Sequence, residues 1–384
     1  MKVLQIVKTA EGASWAFDQA RALSEHGVEI VTVIPDKNGR VAKKYIENNL
    51  KVLFEDLSLP ITKPWMLFSR IIKLKKIIKQ EKPDIIHCHF VTNILMVRIA
   101  LRHNRIPTVF QVPGPLHMES PIFKKIDIMT SRKNDFWIGA CEYTVSLYKQ
   151  AGVDKNRLFL GYYGGYGGAV CDQYLKENDI LHIKYNIPSS AITVGMVSYI
   201  YKPKWYAKQK RGIKGHEDFI DALNIAYASN KNLIGIIIGG PWGNSEKYFE
   251  KIKNYAANNC LAPIIFTGYR NDIKNIYCEL DIVVHPSHSE NLGGAAESLA
   301  AGRPTISTDV GGFPDIVIPN KTGTLVHKEN PSELASAILY MAENPRDANI
   351  KAKLGQQLVR KLLDLDLCSE RIIDIYRSIL KTHD

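Results

Sequence analysis

The segment His285-Pro-Ser-His-Ser-Glu-Asn-Leu-Gly-Gly-Ala-Ala-Glu-Ser-Leu-Ala-Ala-Gly-Arg-Pro304 places a glycine pair and two carboxylates at a predicted junction between a strand and a helix. The apolar run at 281–285 predicts a buried parallel strand, and the small residues of 294–301 predict a helix that Gly302 ends. The glycine pair therefore lies at the helix N-terminus. Backbone N–H groups and the positive end of the helix dipole favour phosphate there, and glycine lets a ligand approach the backbone closely.

The two carboxylates of this segment, Glu290 and Glu297, favour another part of the same ligand. Phosphate repels carboxylates, whereas neutral hydroxyl groups donate hydrogen bonds to them. A ligand with both groups, such as a nucleotide sugar, fits the segment. The alternative interpretation is that both glutamates only stabilise the first turn of a helix.

With Gly302-Arg-Pro304 and Val310-Gly-Gly-Phe-Pro-Asp315, the segment resembles the retaining glycosyltransferases of family four, which have the GT-B fold. The resemblance implies that Glu290 contacts the donor sugar and that Glu297 contacts the nucleotide ribose. It also implies that the turn between them binds the donor, through Asn291, Leu292, Gly293 and Gly294.

A basic loop follows the predicted strand 191–197, and its cations are Lys202, Lys204, Lys208, Lys210, Arg211 and Lys214. Negative charge develops on a departing diphosphate, so a cation fixed there would contribute on the order of 3 kcal/mol. By resemblance, Lys214 matches the family's lysine before a glycine, and Arg211 or one of the inserted lysines substitutes for an arginine at a position that Tyr199 occupies. The same resemblance places Tyr269 and Arg270, after a later strand, beside the nucleotide base. The alternative is an ordinary solvated loop.

The chain departs from the family pattern at two further positions. Six residues separate the two glutamates, where the family has seven, so Ser289 stands in the usual first position. In the loop after strand 107–112, Pro113 replaces a histidine that lies close to the donor sugar in the family. His117 follows four residues later, after a stiff Pro-Gly-Pro turn, and we predict that it takes that role. A surface histidine without a role is the alternative.

The first part of the chain alternates strands and helices, from a strand at 3–7 and a helix at 14–26 onward. Parallel βα units predict a doubly wound sheet that binds ligands at the carboxyl ends of its strands. Gly12 lies in the first such loop, and the resemblance implies that it approaches the donor phosphate or the acceptor. A simple turn residue is equally consistent with the sequence.

At 384 residues the chain predicts two domains. We expect an α/β protein of the GT-B class, with two Rossmann-like domains that face a central cleft. The predicted boundaries are 1–170 for an acceptor domain, 171–365 for a nucleotide-sugar-binding domain, and 366–384 for a helix that packs back on the first domain. Glycines and tyrosines at 161–168 predict the hinge, with a plain flexible linker as the alternative.

The net charge of +11 is concentrated in part at 63–82, where seven basic residues face a single acid and alternate with apolar residues. This pattern predicts a basic amphipathic helix that binds an anionic membrane surface. An ordinary domain helix fits the same pattern. Nucleic acid is not an expected partner, because the chain has neither zinc-finger spacing nor an RNP-type aromatic motif.

We expect neither a metal nor another cofactor. The pair Asp364-Leu-Asp366 lies away from the other motifs, cations can bind the diphosphate, and no Gly-x-Gly-x-x-Gly fingerprint occurs. The six cysteines are scattered and are expected to be free and mostly buried, as in a reducing compartment. No apolar run approaches the length of a membrane span or forms a signal peptide. The expected location is the cytoplasm, and peripheral attachment to the inner face of the membrane is the alternative that the basic segment leaves open.

The resulting prediction is a retaining, hexosyltransferase-like enzyme that moves a sugar from a nucleoside-diphosphate sugar, with UDP as the carrier, to a glycan or lipid-linked saccharide. Bacterial-type surface polysaccharide or glycoconjugate synthesis is the expected setting. One alternative is a nucleotide-sugar epimerase on the same scaffold. Another is a non-catalytic subunit that binds nucleotide or glycan without turnover.

Overall fold

The computed structural model describes residues 1–102, 105–166, 180–204 and 209–382. The chain divides into two units. The first contains Met1–Gly165 and Leu362–Asp384, and the second contains Tyr166–Lys361.

Seven parallel strands form the sheet of the first unit, in the order β3-β2-β1-β4-β5-β6-β7. The central strands are continuous apolar runs because helices cover both faces of a parallel sheet. The strands are β1 Lys2–Ile6, β2 Glu29–Ile34, β3 Lys51–Phe54, β4 Ile85–His89, β5 Thr108–Val112, β6 Asp135–Gly139 and β7 Leu158–Leu160. The helices between them are α1 Ser14–Glu25, α2 Arg40–Glu47, α3 Leu67–Glu81, α4 Val91–Ala100, α5 Leu116–Glu119, α6 Pro121–Met129 and α7 Glu142–Gln150.

Six parallel strands form the sheet of the second unit, in the order β10-β9-β8-β11-β12-β13. Its strands are β8 Ile192–Val197, β9 Leu233–Ile238, β10 Ile264–Gly268, β11 Ile282–His285, β12 Thr305–Thr308 and β13 Thr324–Val326. Its helices are α8 Ile180–Tyr185, α9 His216–Ser229, α10 Glu246–Asn259, α11 Ile273–Cys278, α12 Gly293–Ala300, α13 Phe313–Ile316, α14 Pro331–Glu343 and α15 Pro345–Leu362. The strand order reverses at β8, so β8 and β11 flank the position where such sheets bind ligands.

The last helix, α16 (Leu365–Lys381), belongs to the first unit and packs against α1. The Asp364 side chain caps it, accepting hydrogen bonds from the backbone N–H groups of Asp366 and Leu367 at 3.0 Å each. The buried Tyr376 hydroxyl shares a hydrogen bond with His87 Nδ1 on β4. The Asp-x-Asp sequence thus begins a helix, and its first carboxylate is the cap of that helix.

The observed strands confirm the predicted doubly wound α/β class. Long apolar runs predicted the central strands of both sheets, and the observed ends differ from the predicted ends by no more than one residue. The sequence analysis missed β3 and β13. Both are short strands at sheet edges, and apart from Val326 their side chains are exposed or half-buried, so neither strand is a long buried apolar run.

The predicted glycine-rich hinge is partly packed. A Cβ atom on Gly164 would lie 2.7 Å from the Leu365 Cα atom, so this glycine permits close contact with the start of α16. Tyr163 is buried, and its hydroxyl shares a 2.8 Å hydrogen bond with His89 Nδ1. Gly167 and Gly168 lie outside the described residues.

The cysteine prediction is correct in part. Cys88 and Cys368 are buried free thiols, whereas Cys278 is disulfide-bonded. Cys171 lies outside the described residues. Across the described part of the chain, no helix combines the length and the apolarity needed to cross a bilayer.

Candidate functional site

The candidate site lies at the carboxyl ends of the adjacent parallel strands β8 and β11. Two loops form it: the one between β8 and α9, and the one between β11 and α12. The His288 backbone N–H donates a 2.8 Å hydrogen bond to the Ile213 carbonyl, which joins the loops. Gly215, with φ +73°, packs so closely on Pro286 that a Cβ atom would lie 2.0 Å from its carbonyl oxygen. The loops are therefore fixed relative to each other.

An ion pair between Lys214 Nζ and Glu290 Oε2 lies at the centre of the site. The side chains remain 21% and 17% exposed, so a ligand can reach both of them. The structure thus brings together two residues that lie 76 positions apart in sequence. Because each charge has one ionic partner among the described residues and also meets solvent, an incoming phosphate or hydroxyl can replace that partner.

Two glycines fix Glu290 at the start of α12. A Cβ atom on Gly293 would lie 3.0 Å from the Glu290 Cδ atom, and one on Gly311 would lie 1.7 Å from the Glu290 carbonyl oxygen. Both glycines have positive φ, at +36° and +55°. The Asn291 backbone N–H also donates to Glu290 Oε1 at 3.2 Å. The turn that differs in spacing from the family pattern is therefore tightly folded around its glutamate.

The N-terminus of α12 presents backbone rather than side chains. A Cβ atom on Gly294 would lie 2.7 Å from His285 Cε1, so only glycine fits over this ring. Burial lowers the pKa of His285 to about 3, which keeps the imidazole neutral, and its Nε2 shares a 3.0 Å hydrogen bond with Ser298 Oγ. The first N–H groups of a helix lack intrahelical acceptors. They are suited to bind an anion next to Lys214.

Glu297 lies on α12, and its Oε2 accepts a 3.0 Å hydrogen bond from the Tyr277 hydroxyl. Desolvation by the surrounding protein raises the pKa of the Glu297 carboxyl, while the Tyr277 hydrogen bond and the charge of Lys214 oppose that rise. The side chain is nevertheless exposed to solvent. Its carboxylate is therefore oriented by Tyr277 and open to a ligand.

Four aromatic side chains follow strands β8, β9 and β10, and sequence reasoning missed their association. The Tyr199 ring lies 4.8 Å from that of Trp242 and 5.9 Å from that of Tyr269. Lys214 Nζ lies 5.9 Å from the centre of the Tyr201 ring. Burial, and then the charge of Glu290, raise the pKa of Tyr201 to about 12. The signal in the sequence was an aromatic residue within four positions of three strand ends.

Arg211 is bound to acidic side chains of α9. Its Nη1 pairs with Asp218 and, at 2.8 Å, with Asp221 Oδ2. Asp218 also bonds His288 in the neighbouring loop. The guanidinium therefore has two carboxylate partners, and contact with a diphosphate remains a prediction for it. Of the other predicted loop cations, Lys202 and Lys210 are exposed, and Lys208 lies outside the described residues.

The remaining predicted donor contacts in the second unit differ in accessibility. Tyr269 is 59% exposed. Arg270 forms an ion pair with Asp272 two residues later. Asn291 and Leu292 are buried, and Asn291 Oδ1 has no hydrogen-bond partner within the described residues. The Tyr269 ring thus faces solvent. In the turn before α12, the buried side chains of Asn291 and Leu292 support the backbone of the turn.

Two predicted site residues belong to the first unit. His117 Nε2 shares a 2.8 Å hydrogen bond with the Tyr148 hydroxyl and lies 3.5 Å from Asp127 Oδ2. Gly12 donates its backbone N–H to Thr9 Oγ1 at 3.4 Å. His117 therefore has partners within its own unit, and its contact with a donor sugar stays a prediction.

The described residues contain no group of three or more histidine, cysteine, aspartate or glutamate side chains arranged to hold a metal ion. His87 and His89, which flank Cys88 on β4, are bonded to tyrosine hydroxyls instead.

Comparison with known proteins gives the family. The family described as Glycosyl transferases group 1 matches residues 206–357, and Glycosyltransferase Family 4 matches residues 12–162. The chain belongs to the group 1 glycosyltransferases, of the family-four type. The first match contains the whole Lys214, Glu290 and Glu297 cluster.

Similar proteins include a D-inositol 3-phosphate glycosyltransferase of Streptomyces avermitilis, 26% identical over 160 residues, which are 40% of this chain and 33% of that enzyme. A lipopolysaccharide core biosynthesis mannosyltransferase of Rhizobium meliloti is 26% identical over 173 residues, 44% of this chain and 49% of that enzyme. The matches thus span between a third and a half of these relatives.

Among solved structures, Anabaena HepE in complex with UDP and glucose superposes with a TM-score of 0.79. The identity is 17%, and the match covers 97% of this chain and 98% of that one. The chain therefore has the GT-B fold.

Proposed function

We propose that this glycosyltransferase moves a sugar, with retention of configuration, from a nucleoside-diphosphate sugar to a glycan or lipid-linked saccharide. The observation that carries the proposal is the Lys214–Glu290 ion pair at the N-terminus of α12, with the solvent-accessible Glu297 on the same helix. UDP as the carrier is supported by HepE, which was solved with UDP and glucose. Surface polysaccharide synthesis is supported by the Rhizobium meliloti mannosyltransferase.

In the proposed reaction the diphosphate binds Lys214 and the free N–H groups at the start of α12. Lys214 then exchanges its partner Glu290 for phosphate oxygens and stabilises the negative charge that develops on the diphosphate as its bond to the sugar breaks. The sugar forms a new bond to the acceptor hydroxyl oxygen, and that hydroxyl loses its proton. Glu290, released from the ion pair, accepts hydrogen bonds from sugar hydroxyls. Glu297 holds the ribose, oriented by Tyr277. Retention of configuration is inferred from the family resemblance.

The aromatic cluster gives the donor a further binding surface. Tyr201 lies beside Lys214, and the exposed Tyr269 lies beside Tyr199. Flat rings next to a phosphate-binding cation suit a nucleobase or the apolar face of a sugar. We place the nucleotide end of the donor at Tyr269, as the resemblance implies for this loop.

We propose that the reaction needs no divalent metal, because Lys214 and the helix N-terminus already supply positive charge to the diphosphate. The first unit is proposed to bind the acceptor. A cytoplasmic enzyme at the inner face of a membrane would meet a lipid-linked acceptor, and the basic helix α3 supports that location.

A donor panel tests the function. The native chain is incubated with UDP-, GDP- and ADP-sugars in EDTA, with and without saccharide acceptors, while nucleotide release and sugar identity are followed. We expect nucleoside diphosphate release from one donor that Glu297→Ala abolishes. Sugar conversion without sustained release would support the epimerase instead, and binding of a donor without turnover under any condition would support the non-catalytic subunit.

Leu261→Ala is a suitable control in this panel, because Leu261 is 82% exposed and precedes β10 on a loop outside the cluster. It should match the native rate.

A further inference from the structure

Helix α3 packs on the first unit with one face only. Leu74, Ile77 and Ile78 are buried in the core beneath it. Arg70 is also mostly buried, pairs with Asp56 and donates to Ser58 Oγ at 3.0 Å. The sequence left open whether this segment is a domain helix or a membrane-binding helix. Its inner face is that of a domain helix.

The opposite face carries large apolar side chains in water. Trp65, just before α3, is 73% exposed, Phe68 is 76% exposed and Ile72 is 67% exposed. Phe68 and Ile72 are four residues apart and share one side of the helix. An exposed tryptophan, phenylalanine and isoleucine together are unusual on a helix whose other face already contributes to the core.

Basic residues continue this exposed face toward the end of α3, and together with Phe68 and Ile72 they form a stripe along the helix. Lys75, Lys76 and Lys79 follow Ile72 at helical spacing, are exposed, and form no ion pair within the described residues. Lys73, which faces sideways, is paired with Glu55 at 2.6 Å. The stripe is thus apolar at one end and carries uncompensated positive charge at the other.

A recess of about 810 Å³ adjoins the basic end. None of the residues that line it is acidic, and four are cations: Lys75, Lys79, Arg102 and Arg105. The other lining residues are apolar and come from α3 and the end of α4. The recess is open to solvent, so a phosphate group can enter it. Concentrated positive charge in a concave surface attracts phosphate groups.

We propose that this face docks on an anionic phospholipid bilayer, with Trp65, Phe68 and Ile72 in the interface and a lipid headgroup phosphate in the basic recess. Charge complementarity decides for a bilayer: the apolar residues suit the boundary of the acyl chains, and the adjacent cations suit anionic headgroups. The inference rests on the proposed action at a membrane surface and names the residues that produce it.

Vesicle sedimentation at low salt tests the docking. The full chain should bind vesicles of phosphatidylcholine and phosphatidylglycerol, and should bind pure phosphatidylcholine far less. Lys75→Glu/Lys79→Glu should weaken binding by at least about thirtyfold, given the attraction of each basic residue for an anionic surface. Trp65→Ala/Phe68→Ala/Ile72→Ala should weaken it by more than about tenfold.

Matched controls separate position from net charge and apolar content. Lys251→Glu/Lys321→Glu changes the net charge equally at exposed lysines of the second unit, and Leu261→Ala/Ile350→Ala removes exposed apolar side chains there. Both should bind vesicles like the native chain. Equal binding by the α3 variants and these controls, or equal binding to neutral vesicles, would overturn the proposal.

Bromine-labelled lipids test insertion. They should quench native tryptophan fluorescence on binding, while Trp65→Phe should retain binding and lose most of the quenching. Unchanged quenching in Trp65→Phe would contradict insertion of this residue. Donor turnover without vesicles should be native in the α3 variants, so a failed docking result remains distinct from a failed transferase assignment.

Discussion

Two charged clusters in this molecule differ in how completely the protein encloses them. In the first unit, Arg98 pairs with Asp127 and Asp135 at 2.7 Å each, and none of the three side chains is more than 2% exposed. In the second unit, Lys214 and Glu290 pair with each other while both still meet solvent.

The contrast indicates what each cluster does. Charges removed from water must be paired within the protein, and once paired they hold one geometry. Arg98 joins α4 to α6 and β6 in this way. The half-exposed pair costs less to form and less to open, so a ligand can enter it. We therefore assign the enclosed cluster to stability and the open cluster to donor binding. Variants of both clusters test this assignment.

The largest expected effect is on stability, in Arg98→Met. The variant leaves Asp127 and Asp135 buried without their shared cation, which should lower the free energy of unfolding by about 3–5 kcal/mol. Urea unfolding measures the change. Arg377→Met removes an exposed pair with Asp374 and should change stability by less than about 1 kcal/mol. Equal effects of the two variants would refute the distinction between enclosed and open pairs.

The next largest effect is expected in Glu297→Gln. The substitution keeps the shape of the side chain but removes the charge that, in the proposed donor site, strengthens hydrogen bonds to the ribose. Such bonds contribute about 1.5–3 kcal/mol, so UDP should bind roughly tenfold to a hundredfold more weakly. Titration calorimetry measures the affinity. Native affinity in this variant would remove Glu297 from the donor site.

An effect of intermediate size is expected on the stability of the fold at low pH, to which Asp127 of the enclosed cluster contributes. Burial alone would raise the pKa of Asp127, but hydrogen bonding to His117 and the charge of Arg98 outweigh it and hold the pKa below its usual value. Asp127 therefore stabilises the fold above its unfolded pKa, and that contribution is lost as pH falls through the folded pKa. Asp127→Asn should show a flatter decline of the unfolding midpoint below about pH 5. An unchanged decline would count against this role.

The smallest effect is expected in Tyr277→Phe. Desolvation raises the pKa of Glu297, and the Tyr277 hydrogen bond opposes that rise. UDP affinity should fall as pH decreases through the raised pKa, and removing the hydroxyl should move this fall to higher pH. The measurement is the UDP dissociation constant against pH for both proteins. A shift to lower pH would have the wrong sign for the account.

Much of the fold followed from the sequence because buried parallel strands are continuous apolar runs. The glycine pair Gly293 and Gly294 likewise predicted the N-terminus of α12, because adjacent glycines are typical of positions where another group lies close to the backbone. The partners of the charges did not follow. Arg211 bonds acids of α9, and Tyr277 reaches Glu297 from α11, because contacts between elements depend on their packing.

The sequence also did not predict which apolar side chains of α3 are exposed to solvent. The apolar residues of α3 alternate with lysines all along the segment, so the sequence alone did not divide them between the buried face of Leu74 and the exposed face of Phe68. His117 gives a similar lesson. The sequence did not show that Tyr148 and Asp127, which follow it 31 and 10 positions later, contact it within the first unit.

Steady-state release of nucleoside diphosphate by Lys214→Ala tests the central claim most directly. Loss of a cation that stabilises the leaving diphosphate should lower the turnover number by roughly a hundredfold to a thousandfold. The unfolding midpoint should stay close to that of the native chain, because the Lys214 pair is open to solvent. Native turnover in a folded Lys214→Ala protein would contradict the assignment of this cluster to sugar transfer.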